Sequence, residues 1–329
     1  IFYPNPINGV LISEAEYEAI KTRPFMAVMI QNNIASRPEY ALGKADIVYE
    51  SVVEAGITRF MGVYWSQDSD RVQSLRSARK YYVDLLGDYS QPVYMHIGYS
   101  TGDVKIDAYQ AMAKYGIRRI GDLRDKTNTT VGAFSRDKEC EKIKAVEHCA
   151  YTDTARLWKI AAQQGWANDL SKMESWKFAD TIPETFVGKE MIGFSVNFVP
   201  WANSFNKDYS VTWRYDPASK KYLRFNQDLT PYLEYPGTQV TTDTIIYQRV
   251  TSYLQAGDTH GHQYQEVIGS GDGHILSGGK VYEVTWKKTS FASKTRYFDK
   301  VTGEEFVFPR GRIWTMLMPK TYDYTPLVQ

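Results

Sequence analysis

Cysteine is scarce in this chain. Cys140 and Cys149 are the only two, and no C-x-x-C pair exists, so zinc-ribbon and thioredoxin chemistry have no support. Their spacing leaves either a local disulfide or two free thiols. An excess of charge of one sign is also lacking. With 39 Lys and Arg against 38 Asp and Glu the formal net charge is +1, which leaves no basic excess to release counterions along a phosphate backbone and argues against a nucleic-acid partner. No apolar run reaches the roughly 18 residues of a membrane span. A G-x-S-x-G elbow, internal repeats and low-complexity tracts are absent too.

Aromatic residues are plentiful, 14% of 329 with 25 Tyr, which suits β-rich surfaces and grooves that need a ring with a polar handle. The length accommodates two domains. In the first half, Phe25 to Ile30, Ile57 to Trp65 and Pro92 to Tyr99 read as strands. They alternate with helices expected at Asp46 to Ala55, Leu75 to Leu86, Val104 to Tyr115 and Thr152 to Leu170, which predicts an α/β domain over 1–185 with a mixed sheet. Arg118 to Cys149 reads as a long polar loop. From Met191 onward short strands and turn residues dominate, for example Tyr209 to Tyr215, Lys221 to Phe225, Lys280 to Lys287 and Ile313 to Pro319. They predict a mainly β domain over 186–329 and an α+β chain overall.

The densest chemistry lies in Lys44 to Leu86. A helix capped by Asp46 would place Glu50 and Glu54 on one face, four residues apart, where like charges call for a cation. Thr58 and Arg59 open the following strand. With Ser74 as the cap of the next helix, Arg76 and Arg79 would lie near its positive end, an unfavourable place unless a carboxylate or phosphate sits among them. That group is either Glu50 or Glu54, giving an internal ion-pair network, or an external anion. His148, beside Glu147, is a candidate acid or base or a loop-holding residue. Lys287 and Arg296 bracket a Ser/Thr-rich loop that suits an anion or a solvated strand end. His260-Gly-His262 lacks a convincing third ligand, so no metal site is expected. Gly269-Ser-Gly-Asp-Gly273, between two strands, reads as a hairpin turn.

The motifs ADIVYESVVEAGITRF (45–60), VQSLRSARKYYVDL (72–85), EHCAYT (147–152), VTWRYDP, GSGDGHILSGGKV and VTWKKTS resemble the YerB-like family of bacterial lipoproteins over nearly the whole chain. Its motifs fall on Arg37-Pro38, Asp46, Glu50, Glu54, Thr58-Arg59, Arg76, Arg79 and His148, and then on Gly269, Gly271, Trp286-Lys287 and Thr295-Arg296. The resemblance implies two domains and export by a removed N-terminal lipid anchor to the outer face of the cytoplasmic membrane. It supplies no reaction. A weaker similarity links T-R, a strand and V-x-S-L-R-S-A-R to the LytR-CpsA-Psr transferases, whose arginines hold a polyprenyl pyrophosphate. The acid of their R-D-T pattern is missing at Arg76-Ser-Ala.

These readings favour an envelope binding or accessory module over an enzyme and leave catalysis open, with a cell-wall or anionic ligand held by Thr58, Arg59, Arg76 and Arg79, and by Arg37, Lys287 and Arg296, without a cofactor. An envelope protein is a further candidate partner. The alternatives are a transferase or hydrolase on a lipid-linked glycopolymer, with Asp46, Glu50, Glu54 or His148 as catalytic group and a divalent cation, or a scaffold without ligand.

Overall fold

A computed structural model of the chain describes residues 1–54, 56–121, 132–198, 209–258 and 261–328. Residues 47–52, IVYESV, are rich in β-branched and aromatic side chains and form a strand, Ile47–Val52, where a helix was expected. Positions four apart share a face in either conformation, so the Val48/Val52 spacing does not separate the two. Both faces are covered. Val48 and Val52 enter one core, whereas Ile47, Tyr49 and Val53 enter another.

That strand sits in an eleven-stranded mixed sheet. The order is Lys189–Glu190, Lys280–Lys288, Gly269–Ser277, Thr244–Val250, Ile313–Pro319, Ile47–Val52, Thr58–Tyr64, Met26–Gln31, Val93–Met95 and Arg118–Ile120, with Arg296–Asp299 also paired to Lys280–Lys288. The strand Ile313–Pro319, late in the chain, runs parallel between Thr244–Val250 and Ile47–Val52, so the sheet is continuous across both halves of the sequence. A five-stranded sheet, including Val211–Asp216 and Lys221–Phe225, covers one face, with Trp213 against Trp314 at 5.2 Å. The helix Thr154–Gln163, capped by Asp153, buries Leu157, Ile160 and Ala161 in the same core. Helices Lys80–Leu85 and Ala108–Lys114 pack on the opposite face. The fold is α+β, with the helices concentrated in the first half and strands dominating the second.

Three local readings need correction. The helix expected from Leu75 begins only at Lys80, because Ser74 to Ala78 is extended and hydrogen-bonded on two sides: Gln31 N–H to Ser74 O, Arg76 N–H to Met29 O, Ile97 N–H to Arg76 O and Ala78 N–H to Gly98 O. Ser74 therefore caps nothing; its hydroxyl donates to His148 O. Residues 269–273 are strand, not turn, and the reversal falls at Gly278-Gly279, both with positive φ. Gly271 is required there because a Cβ would stand 2.7 Å from the Trp286 indole nitrogen. The polar stretch 118–149 contains the strands Arg118–Ile120 and Ser135–Arg136 and the helix Lys138–Glu141, while 122–131 lie outside the described residues. Cys140 and Cys149 are joined in a disulfide.

Candidate functional site

Six strands run parallel: Thr244–Val250, Ile313–Pro319, Ile47–Val52, Met26–Gln31, Val93–Met95 and Arg118–Ile120. Thr58–Tyr64 runs against them, so its first residues lie beside the others' carboxyl ends. Open α/β sheets bind ligands outside those ends. Glu54, Arg59, Arg76 and Arg79 gather there.

Glu54 follows the strand end. Arg79 donates from Nε to Glu54 Oε1 at 2.7 Å and from Nη2 to the same oxygen, and Arg59 Nη2 lies 3.5 Å from Oε2. His262, which hydrogen-bonds through its backbone N–H to Asp258 at 2.6 Å, brings Nε2 to 3.6 Å from Glu54. Arg59 is oriented by Ser77 O at 2.8 Å, and Arg79 by Ala78 O at 2.8 Å. The alternation of the Thr58–Tyr64 strand sends Arg59 toward the helix face, where the Tyr82 hydroxyl donates to the Arg59 carbonyl. Burial alone would raise the Glu54 carboxyl, but Arg79 and Arg59 together hold it below the ordinary carboxylate value. Burial and the neighbouring Arg79 charge push Arg59 down to about 10.

Arg76 completes the cluster differently. Its backbone is fixed between two neighbouring segments, yet among the described residues its side chain has no hydrogen-bonding or ion-pair partner. Its buried Nε is unpaired, as is Arg59 Nε. Burial, opposed by Glu147 and reinforced by Arg79, lowers its affinity for the proton. Among the described residues, two guanidinium groups meet one carboxylate, with the Arg76 charge close enough to act on both. The helix-dipole argument does not explain them, since Arg76 precedes the helix and Arg79 only caps it.

Glu50 belongs elsewhere. Its parity with Val48 and Val52 turns it into the other core, where Arg224 binds it in two parallel bonds, Nη1 to Oε2 at 2.7 Å and Nη2 to Oε1 at 2.8 Å. Thr58 Oγ1 and Trp314 Nε1 add donors at 2.9 and 3.0 Å. Both charged side chains are essentially inaccessible, and Arg224 also lies 5.0 Å from the Trp314 ring centroid. Thr58 in turn accepts from Asn32 Nδ2 at 2.6 Å, and Asn32 accepts from Arg37 Nε at 3.0 Å. Thr58 and Arg37 thus serve the buried network rather than the arginine cluster.

The remaining candidates scatter. Asp46 sits at the opposite end of its strand, roughly 20 Å away for six residues. There it accepts from Asn5, Asn8, Trp65 N–H and both Ser66 donors. His148 is buried with Nδ1 3.2 Å from Gln31 Oε1, and burial and then Arg76 depress its proton affinity. Lys287 is exposed and stands opposite Arg296 in the strand register, but Arg296 is taken by Glu305 at 2.7 Å and Glu174 at 2.8 Å. His260 lies outside the described residues. Arg224 went unread in the sequence, although in KYLRF it shares a face with buried Tyr222, which is the mark of an arginine facing a core.

A family model described as the N-terminal domain of a protein of unknown function (DUF3048) matches residues 12–167, and its C-terminal counterpart matches 201–315. The chain belongs to the DUF3048 family. The arginine cluster and Glu54 lie within the first matched region, and Arg224, His262 and Trp314 within the second, so the Glu50–Arg224 pair ties the two DUF3048 domains together. "Putative lipoprotein YerB" of Bacillus subtilis (strain 168) is 25% identical over 319 residues, covering 95% of this chain and 86% of that protein. The crystal structure of YerB protein from Bacillus subtilis superposes with a TM-score of 0.76 at 22% identity, covering 98% of this chain and 99% of that one, which shows the fold.

Proposed function

We propose that this DUF3048 protein is a lipid-anchored envelope protein on the outer face of the cytoplasmic membrane, acting as a binding or accessory module. Arg59, Arg76 and Arg79 receive the phosphate or carboxylate of a cell-wall component. The observation that carries this reading is Arg76, a partly buried guanidinium with no partner among the described residues, beside two arginines that share one carboxylate. Charge-assisted bonds to a guanidinium fork are the strong ones, and an unpaired buried donor is costly until an anion supplies the acceptor. The lipoprotein name of YerB supports the anchor, and the Cys140–Cys149 bond fits an oxidising compartment.

A binding role is favoured over the transferase reading because the carboxylates are committed. Glu50 and Asp46 are saturated with donors, and Glu54 is held ionised by its arginines, which makes it a weak base. The test is thermal unfolding with inorganic pyrophosphate and with soluble peptidoglycan fragments, on the wild type and on Arg76→Ala. A ligand at about a hundred times its dissociation constant adds roughly 2.7 kcal/mol. Stabilisation of the wild type alone supports the site; equal response of both chains to pyrophosphate, or no response of either chain to any of the ligands, removes it.

A further inference from the structure

A cleft of about 600 Å3 opens at the amino ends of the strands Ile47–Val52 and Ile313–Pro319, the end opposite the arginine cluster. Segments from both halves of the chain build it. Glu39 and Glu234 are bridge partners, Tyr235 N–H donates to Glu39 O at 2.8 Å, and the Glu234 carboxylate takes Gly43 N–H at 3.0 and 3.1 Å. These bonds present two rings. Tyr40 and Tyr235 stack with centroids 4.6 Å apart and planes at 21°, and the Arg71 guanidinium lies 4.9 Å from the Tyr40 ring centroid. Tyr235 is 56% exposed, and no other ring or cation lies against it among the described residues.

The rim of the cleft is polar and balanced in charge. Lys44 and Asp70 carry no side-chain partner among the described residues, and Arg312 keeps a buried, unpaired Nε while its other nitrogens hold Gly43 O and Thr241. Three basic and three acidic side chains line the whole. Such a balance does not select a polyanion. A flat exposed ring beside separate donors and acceptors matches a ligand with one apolar face and a hydroxyl edge, and a pyranose has that shape.

We propose that this cleft binds a neutral glycan, with Tyr235 stacked on the C–H face of a hexose or N-acetylhexosamine and Asp70 and Lys44 meeting its hydroxyl or amide groups. The inference does not depend on the arginine site. The experiment titrates the N-acetylglucosamine tetramer, and separately cellotetraose, into the purified chain by calorimetry, comparing wild type, Tyr235→Ala and Tyr235→Phe. Saturable binding to at least one sugar is expected, weakened about tenfold by Tyr235→Ala, which is about 1.4 kcal/mol, and nearly unchanged by Tyr235→Phe. Because Tyr235 is at the surface, unfolding midpoints of its variants should match the wild type. The proposal is overturned if neither sugar shows saturable binding to the wild type up to about 10 mM, roughly ten times a Kd of about 1 mM. It is equally overturned if Tyr235→Ala binds as the wild type does, or if Tyr235→Phe loses as much as Tyr235→Ala.

Discussion

Replacing Arg224 with methionine removes both forked donors from Glu50 and leaves an inaccessible carboxylate with Thr58 and the Trp314 indole as its remaining donors, while the methionine takes the guanidinium's place beside the Phe60 and Trp213 rings. Breaking a buried pair on one side costs about 3–5 kcal/mol, because the abandoned charge keeps its desolvation penalty without the attraction that offset it. The pair joins the strand Ile47–Val52 to Lys221–Phe225 in the covering sheet, so the loss falls on the contact between the two layers. For 329 residues unfolding together, at ~2.1 cal/mol/K per residue, the unfolding entropy is about 0.7 kcal/mol/K. The midpoint of Arg224→Met should therefore fall by roughly 4–7 °C in a circular-dichroism melt. Adding Glu50→Gln removes the stranded charge while keeping an acceptor for Trp314, and the double variant should regain at least half of the loss. A fall below about 1 °C, or a double variant as unstable as the two single losses combined, would refute the claim that this pair is a coupled inter-layer clamp.

Three further outcomes follow from other groups. Glu54 has a depressed folded-state value, so its contribution is present above the unfolded value of 4.5 and is lost as pH falls through the folded one. Glu54→Gln should flatten that acid limb of the stability curve, and an unchanged limb would count against the arginine contacts. Glu39 behaves oppositely: burial pushes its carboxyl up to about 8, so the folded state favours the proton and stability declines as pH rises from 4.5 toward 8. Glu39→Gln should remove this decline, which urea melts at pH 5 and pH 9 will measure. Opening the Cys140–Cys149 bond by paired Ser substitution releases a loop of sequence separation 9 and should cost about 2–3 kcal/mol, with amide exchange rising first around His148.

Much of the fold could be read from the chain because its turns and alternation speak locally. Lys221–Phe225 begins and ends where the pattern places it, and the helix expected over Thr152 to Leu170 is present as Thr154–Gln163, capped by Asp153 and shorter at its end. Ile47–Val52 deceived because a spacing of four serves a helix and a doubly buried strand alike, and only the second covering layer, built from distant sequence, decides between them. Ser74 to Ala78 was misread for a related reason: its extended backbone is fixed by hydrogen bonds to Met29, Gln31 and Gly98, contacts no local pattern announces. At the site, the sequence leads us to expect a carboxylate or phosphate among Arg76 and Arg79 at a helix start; Glu54 instead joins Arg79 to Arg59, and Arg76 lies before the helix, so the dipole does not account for the arginines. Among the described residues the carboxylate on Arg59 and Arg79 is Glu54; Glu50 pairs with Arg224, which lies 174 positions later.

The account rests on Arg76 as an open anion position and Glu54 as the internal competitor for its neighbours. Calorimetric titration of inorganic pyrophosphate at low ionic strength into wild type, Arg76→Ala and Glu54→Gln addresses both at once, since exposed charge is screened within about 10 Å at 0.1 M salt. The predicted order of affinity is Glu54→Gln tightest, then wild type, with Arg76→Ala weaker than wild type by about tenfold or more, the effect of losing one charge-assisted contact. No binding by the wild type, equal affinity of Arg76→Ala, or weaker binding by a folded Glu54→Gln would contradict it, and the cluster would then be an internal ion-pair network.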